Sequence, residues 1–75
     1  MKYITYKDPD LGPVLFAFSG NLSHAHVAKC LGVREVRSAG FICRTSDGIY
    51  CHGHSQSLGV GSLVSDSKLA TAFFL

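Results

Sequence analysis

Cys43, Cys51, His52 and His54 fall within the short segment 43–54, and His24, His26 and Cys30 lie earlier in the chain. Imidazole nitrogens and thiolates are zinc ligands, and a thiol beside an imidazole is the beginning of a nucleophilic site. No other grouping in the sequence combines residue types so suited to chemistry. His24 and His26 are two positions apart, so on a helix they point roughly 200° away from each other, and they do not form a joint site there. On a strand the same spacing puts side chains on one face, so His52 and His54 project together and can grip one ion.

What completes that shell depends on the turn that precedes it. Ser46-Asp47-Gly48, between Thr45 and Ile49, is the strongest turn signal in the chain, because Asp favours the turn and Gly takes left-handed dihedrals cheaply. A two-residue Asp47-Gly48 loop sets Cys43 opposite His52 and Phe41 opposite His54, which makes Cys43, His52 and His54 a three-ligand zinc site. A three-residue Ser46-Asp47-Gly48 loop sets Cys43 opposite Cys51 instead. Phe41, Cys43, Ile49 and Cys51 then form an apolar face, and Tyr50, His52 and His54 a polar one, with no metal site. The second register sorts apolar from polar residues more cleanly and is the one we favour. It requires no cofactor; zinc is the alternative.

Catalysis finds less support. A serine triad needs Ser, His and Asp to converge, and none of the serines sits in a nucleophile-elbow sequence. Gly59-Val60-Gly61 lacks the third glycine and the strand-to-helix setting of a dinucleotide loop. No catalytic residue is assigned, and the chain reads as a non-enzyme. A weaker alternative is a module that holds an anionic small molecule on backbone amides around Gly59 and Gly61, with Arg44 nearby.

The elements that must carry these residues follow from the apolar pattern. Tyr3 to Tyr6 and Val14 to Phe18 read as strands, separated by a connecting loop rich in Pro and Gly. Ser23 caps a short helix with apolar positions Val27, Ala28 and Leu31, and Gly32 ends it. From Val33 the pattern alternates as a strand does, then runs through Gly40, where a bulge or a close backbone approach is expected, into Phe41 to Thr45. Ile49 to His54 is the return strand. Ser55 to Ser62 is a further irregular strand, and Ser65 or Asp66 caps a last helix with Leu69 and Phe73 at i, i+4 spacing. The expected fold is a single α+β domain over residues 1–75, a small, largely antiparallel sheet in the order ββαββ(β)α with one or two short helices packed on it.

Length and charge bound the function. With 75 residues and 47% apolar content, the chain has material for one modest core. Seven Lys and Arg against five Asp and Glu give a charge of +2. The basic residues are scattered rather than striped, which argues against nucleic acid as a partner. Three cysteines form an odd set without disulfide-scaffold spacing, and no hydrophobic signal segment opens the chain, so a reducing cytoplasm is expected. No apolar run approaches the ~20 residues of a membrane span.

Two surfaces stand out for partners. Phe73, Phe74 and Leu75 end the sequence with bulky apolar groups that either fold back or meet a second copy, which points to a homo-oligomer. Tyr50, His52 and His54, flanked by Arg44, form the polar-aromatic surface left once a core is assigned.

Ser38-Ala39-Gly40-Phe41, the Asp47-Gly48 turn and Ser55-Gln56-Ser57-Leu58-Gly59, followed by the acidic Asp66, resemble short proteins of unassigned function encoded by tailed bacteriophages and prophages, over about residues 36–68. Cys51, His52 and His54 are not part of that pattern. The resemblance carries no activity; it implies a phage accessory protein acting in the host cytoplasm by binding a host or defence component. The leading expectation is therefore a non-enzymatic, self-associating interaction protein.

Overall fold

The computed structural model describes residues 1–74 and has eight elements. They are β1 (Lys2–Asp8), β2 (Gly12–Phe18), α1 (His24–Leu31), β3 (Ser38–Thr45), β4 (Gly48–His52), β5 (His54–Ser55), β6 (Val60–Gly61) and α2 (Val64–Phe74). Strands β1 to β4 form an antiparallel sheet in the order β2-β1-β3-β4, and β5 pairs with β6 in a separate two-stranded ribbon. This is the expected α+β fold, but the return strand expected over Ile49 to His54 stops at His52, and His54 passes into β5, which with β6 replaces the irregular strand expected over Ser55 to Ser62.

The two helices pack on opposite faces of the sheet. Tyr3, Leu15, Ile42, Ile49 and Ala70 form the core under α2, while Ile4, Phe18, Val27, Ala28 and Ala39 form the core under α1. Strand β1 runs through the middle, and its adjacent residues Tyr3 and Ile4 face opposite cores with no exposed surface. Each such side chain contributes on the order of 1.5–3 kcal/mol on full burial, so β1 is the thermodynamic centre of the domain.

Local signals place most element ends. Ser23 accepts a hydrogen bond from the His26 amide at 3.1 Å, and Gly32, at φ 72°, closes α1 by donating to Ala28 and Lys29. The β1–β2 connection is tighter than the expected loop. Asp8 pairs with Gly12, and the Asp8 carboxylate accepts from the amides of Asp10 (2.8 Å) and Leu11 (3.0 Å), which folds residues 9–11 into a compact hairpin turn.

The strand expected from Val33 begins only at Ser38. Val33 donates to the Ala28 carbonyl at the end of α1, and Val33 and Val36, three residues apart, both pack on the α1 core. An alternating strand would have sent them to opposite faces.

The β3–β4 register differs from both readings of the sequence. Thr45 pairs with Gly48, so the two-residue turn is Ser46-Asp47, and Cys43 stands opposite Tyr50, Ile42 opposite Cys51 and Phe41 opposite His52. The cause lies on the other edge of β3. Its pairing with β1 sets Ser38 opposite Thr5, and Ser38 bonds Asp66 of α2, so alternation carries Ile42 to the α2 face. Ile49 follows it there and is buried. Gly48 absorbs the turn at φ 148°, while Ser46 and Asp47 keep negative φ.

Candidate interaction surface and the groups around it

The observed register redistributes the sequence-predicted site residues. Cys43, Tyr50 and His52 share the α1-side face of the hairpin with Phe41, and all four are exposed to solvent. Arg44 pairs with Ile49 on the opposite face, where it lines a cleft of about 290 Å³ with Met1, Ala17, Ile42, Ile49 and Phe74. It does not flank Tyr50 and His52 as expected. His54 lies beyond Gly53, which turns the chain at φ 79°, and starts β5.

The arrangement of Cys43 directly opposite His52, on which the three-ligand zinc shell depends, is therefore not formed. Phe41 occupies that place and stacks on the His52 ring, with centroids 5.9 Å apart. Among the described residues, no three His, Cys, Asp or Glu side chains come together as a metal shell. Phe73 and Phe74 remain half-exposed at the end of α2, and Leu75 lies outside the described residues.

An aromatic row runs along the α1-side face. Phe16 stacks on Phe18 at 6.3 Å, Phe18 meets His24 edge-on at 5.6 Å, His24 meets Phe41 edge-on at 6.0 Å, and Phe41 continues to His52. Helix α1 covers only the middle of the row. Phe18 and His24 are buried, whereas Phe16 is 40% exposed, Phe41 38% and Tyr50 47%.

Buried His24 is held by a bond from Nε2 to the Gly40 carbonyl at 2.8 Å. A carbonyl only accepts, so the proton sits on Nε2. A Cβ at Gly40 would run into the main-chain carbonyl of His52, so any side chain there forces the backbone to shift. The expected close backbone approach is thus the point where β3, α1 and the end of β4 meet.

A polar cluster lies under the other face. Asp66, buried at the third position of α2, accepts from the Tyr3 hydroxyl at 2.5 Å, from the Ser38 hydroxyl at 3.0 Å and from the Leu63 amide at 2.9 Å. Thr5 and Ser38 share a further hydroxyl–hydroxyl bond. Asp66 thus caps α2 from inside the first turn, reaching back to the residue before the helix, rather than preceding it.

Burial, and then the Asp66 charge, push the Cys51 thiol up to about 11. Burial and the Asp66 bond likewise raise the Tyr3 phenol above its ordinary range. Both groups keep their protons at neutral pH. Cys51 is consequently a poor nucleophile, and its amide is tied to Ser67 Oγ at 2.8 Å.

The amides near Gly59 are also engaged. Gly59 donates to the Ser55 carbonyl, Leu58 to the Ser55 hydroxyl, and Ser62 to the Gly53 carbonyl. Arg44 lines its own cleft, which neither Gly59 nor Gly61 borders.

The sequence reading overlooked Phe16 and Phe41 as surface groups, since large aromatics ordinarily mark a core. It also overlooked Asp66 as the centre of a network, since its partners are scattered along the chain. The alternation of Phe16, Phe18 and of Phe41, Cys43 along their strands was the available signal for a shared face.

Compared with known proteins, the chain matches no family model, and no curated protein or solved structure matches it.

Proposed function

We propose that the chain is a non-enzymatic interaction protein that self-associates through the uncovered part of its α1-side sheet face. The observation that supports this is that the aromatic row emerges from under α1 at Phe16 on one side and at Phe41 on the other, with Tyr50 exposed on the same face near Phe41. Exposed aromatics are enriched at the centres of interfaces, and Phe41 and Tyr50 stand on the neighbouring strands β3 and β4. His52 and Cys43 extend the same face. The non-enzymatic part of the reading rests on Asp66, whose carboxylate oxygens are both engaged in structural hydrogen bonds, and on Cys51, which holds its proton.

The resemblance of residues 36–68 to short phage proteins makes a host-cell protein the further partner and the host cytoplasm the setting. Three free cysteines suit a reducing compartment. No described helix is long and apolar enough to cross a membrane. Light scattering over a concentration series tests the self-association: the mass of the wild-type chain rises with concentration, and that of Tyr50→Glu does not. A wild-type chain that stays at 8.0 kDa at all concentrations contradicts it.

A second reading has one observation in its favour. A cleft of about 410 Å³ is bordered by Lys2, Ser23, His24, Phe41, His54, Gln56 and Ser57, with basic groups and no acidic residue. That is where an anionic small molecule would sit on this chain, rather than between Arg44 and Gly59. Thermal-shift measurements with nucleotides test it, and a melting temperature unmoved by any of them counts against it.

A further inference from the structure

Helix α1 carries two metal-ligating side chains on its outward face. His26 and Cys30 are one helical turn apart, both exposed, with Cys30 Sγ 3.6 Å from His26 Nε2. A tetrahedral zinc ion binds sulfur at about 2.3 Å and imidazole nitrogen at about 2.0–2.1 Å, and two such ligands on adjacent vertices stand about 3.6 Å apart. The pair already has the spacing of one edge of that tetrahedron.

The helix also holds the pair rigidly. Ser23 and Gly32 cap its two ends, and Val27 and Ala28 bury the opposite side in the core. Neither ligand must leave a buried partner to bind, since their only recorded side-chain bond is to each other.

Two ligands do not make a structural zinc site, and no third His, Cys, Asp or Glu joins them among the described residues. A second copy supplies what is missing. Across a twofold axis an isologous contact contributes the same two residues again, giving a Cys₂His₂ set from two chains.

We propose that His26 and Cys30 are half of a tetrahedral zinc site that closes between two copies of this chain. As each Zn–S bond forms, the thiol proton of Cys30 passes to solvent, so one zinc releases two protons. Each imidazole binds through the Nε2 lone pair with its proton on Nδ1, and no oxidation state changes. The site stands independently of the aromatic-face association, which needs no metal.

Cobalt and zinc titration of the reduced, chelator-treated full-length chain tests the site. Cobalt gives a tetrahedral visible spectrum with thiolate charge transfer and saturates at one metal per two chains. Zinc displaces it, and the zinc-loaded mass is twice 8.0 kDa. His26→Ala and Cys30→Ser each abolish the spectrum while circular dichroism shows the fold intact, and Cys43→Ser and His52→Ala leave it unchanged. Repeating the mass measurement in a Tyr50→Glu background separates metal-linked dimers from any metal-free association. Absence of a tetrahedral spectrum, saturation at one metal per chain, or a spectrum that survives His26→Ala or Cys30→Ser overturns the proposal.

Discussion

The hydroxyl of Tyr3, in the central strand, donates to the carboxylate of Asp66, in the last helix, at 2.5 Å. This contact joins the two ends of the chain, and through Ser38 it also fixes the face that β3 presents to α2. Buried polar clusters of this kind are costly unless satisfied, and among the described residues no buried side-chain polar atom lacks a partner.

Asp66→Ala leaves the buried Tyr3 hydroxyl without its acceptor and also removes the bonds to Ser38, which keeps Thr5, and to the part-buried Leu63 amide. The orphaned hydroxyl costs about 1–3 kcal/mol and each of the other two lost bonds about 1 kcal/mol, so the variant loses about 3 kcal/mol or more, a large part of the stability of a small domain. Tyr3→Phe removes one partner only and costs about 1–2 kcal/mol. Urea unfolding midpoints check the order. Equal midpoints for Asp66→Ala and wild type contradict the structural role of the network.

Alkaline stability follows from the two raised groups. The unfolded chain ionises Cys51 near its ordinary 9.0 and Tyr3 near 10.0, while the folded chain holds the Cys51 proton to about 11 and the Tyr3 proton higher still. Unfolding therefore releases protons in this range. The Cys51 contribution is fully present below pH 9 and is lost as pH rises through about 11, whereas that of Tyr3 is fully present below pH 10 and is still falling above pH 11. Thermal melts across that window show a falling melting temperature, and the Tyr3→Phe, Cys51→Ser double variant shows a shallower fall. A slope unchanged by the double substitution contradicts the assignment.

Gly40→Ala forces a methyl group onto the His52 carbonyl and pushes apart β3 and the start of the 53–55 segment. Overpacking against backbone costs about 1–3 kcal/mol. Gly20→Ala, where a Cβ meets nothing within 4 Å and φ is not positive, is the matched control and stays within about 0.5 kcal/mol of wild type. Equal unfolding midpoints for the two variants contradict the close approach.

Much of the fold was legible because the signals were local. Ser23 and Gly32 bound α1 as their chemistry requires, and Ser46 to Gly48 mark a real hairpin. The register of that hairpin was not legible, because turn residues and local polarity favoured pairing Cys43 with Cys51. It is decided instead by Thr5, Ser38 and Asp66, which meet only in three dimensions. The surface was partly legible: Tyr50 and His52 do share an exposed face, but Arg44 left it and Phe41 joined it with the same change of register. The outward pair His26 and Cys30 was visible in their i, i+4 spacing, and the reading passed over it by weighing His26 against His24 instead.

The central claim is that the aromatic face of the sheet, and not the tail of α2, is where copies of this chain meet. Amide chemical shifts recorded by NMR over a dilution series, with chelator present, test it most directly. The account predicts concentration-dependent shifts at Phe16, Phe41, Tyr50 and His52, with Phe73 and Phe74 unmoved. Shifts confined to Phe73 and Phe74, or none anywhere, would contradict it.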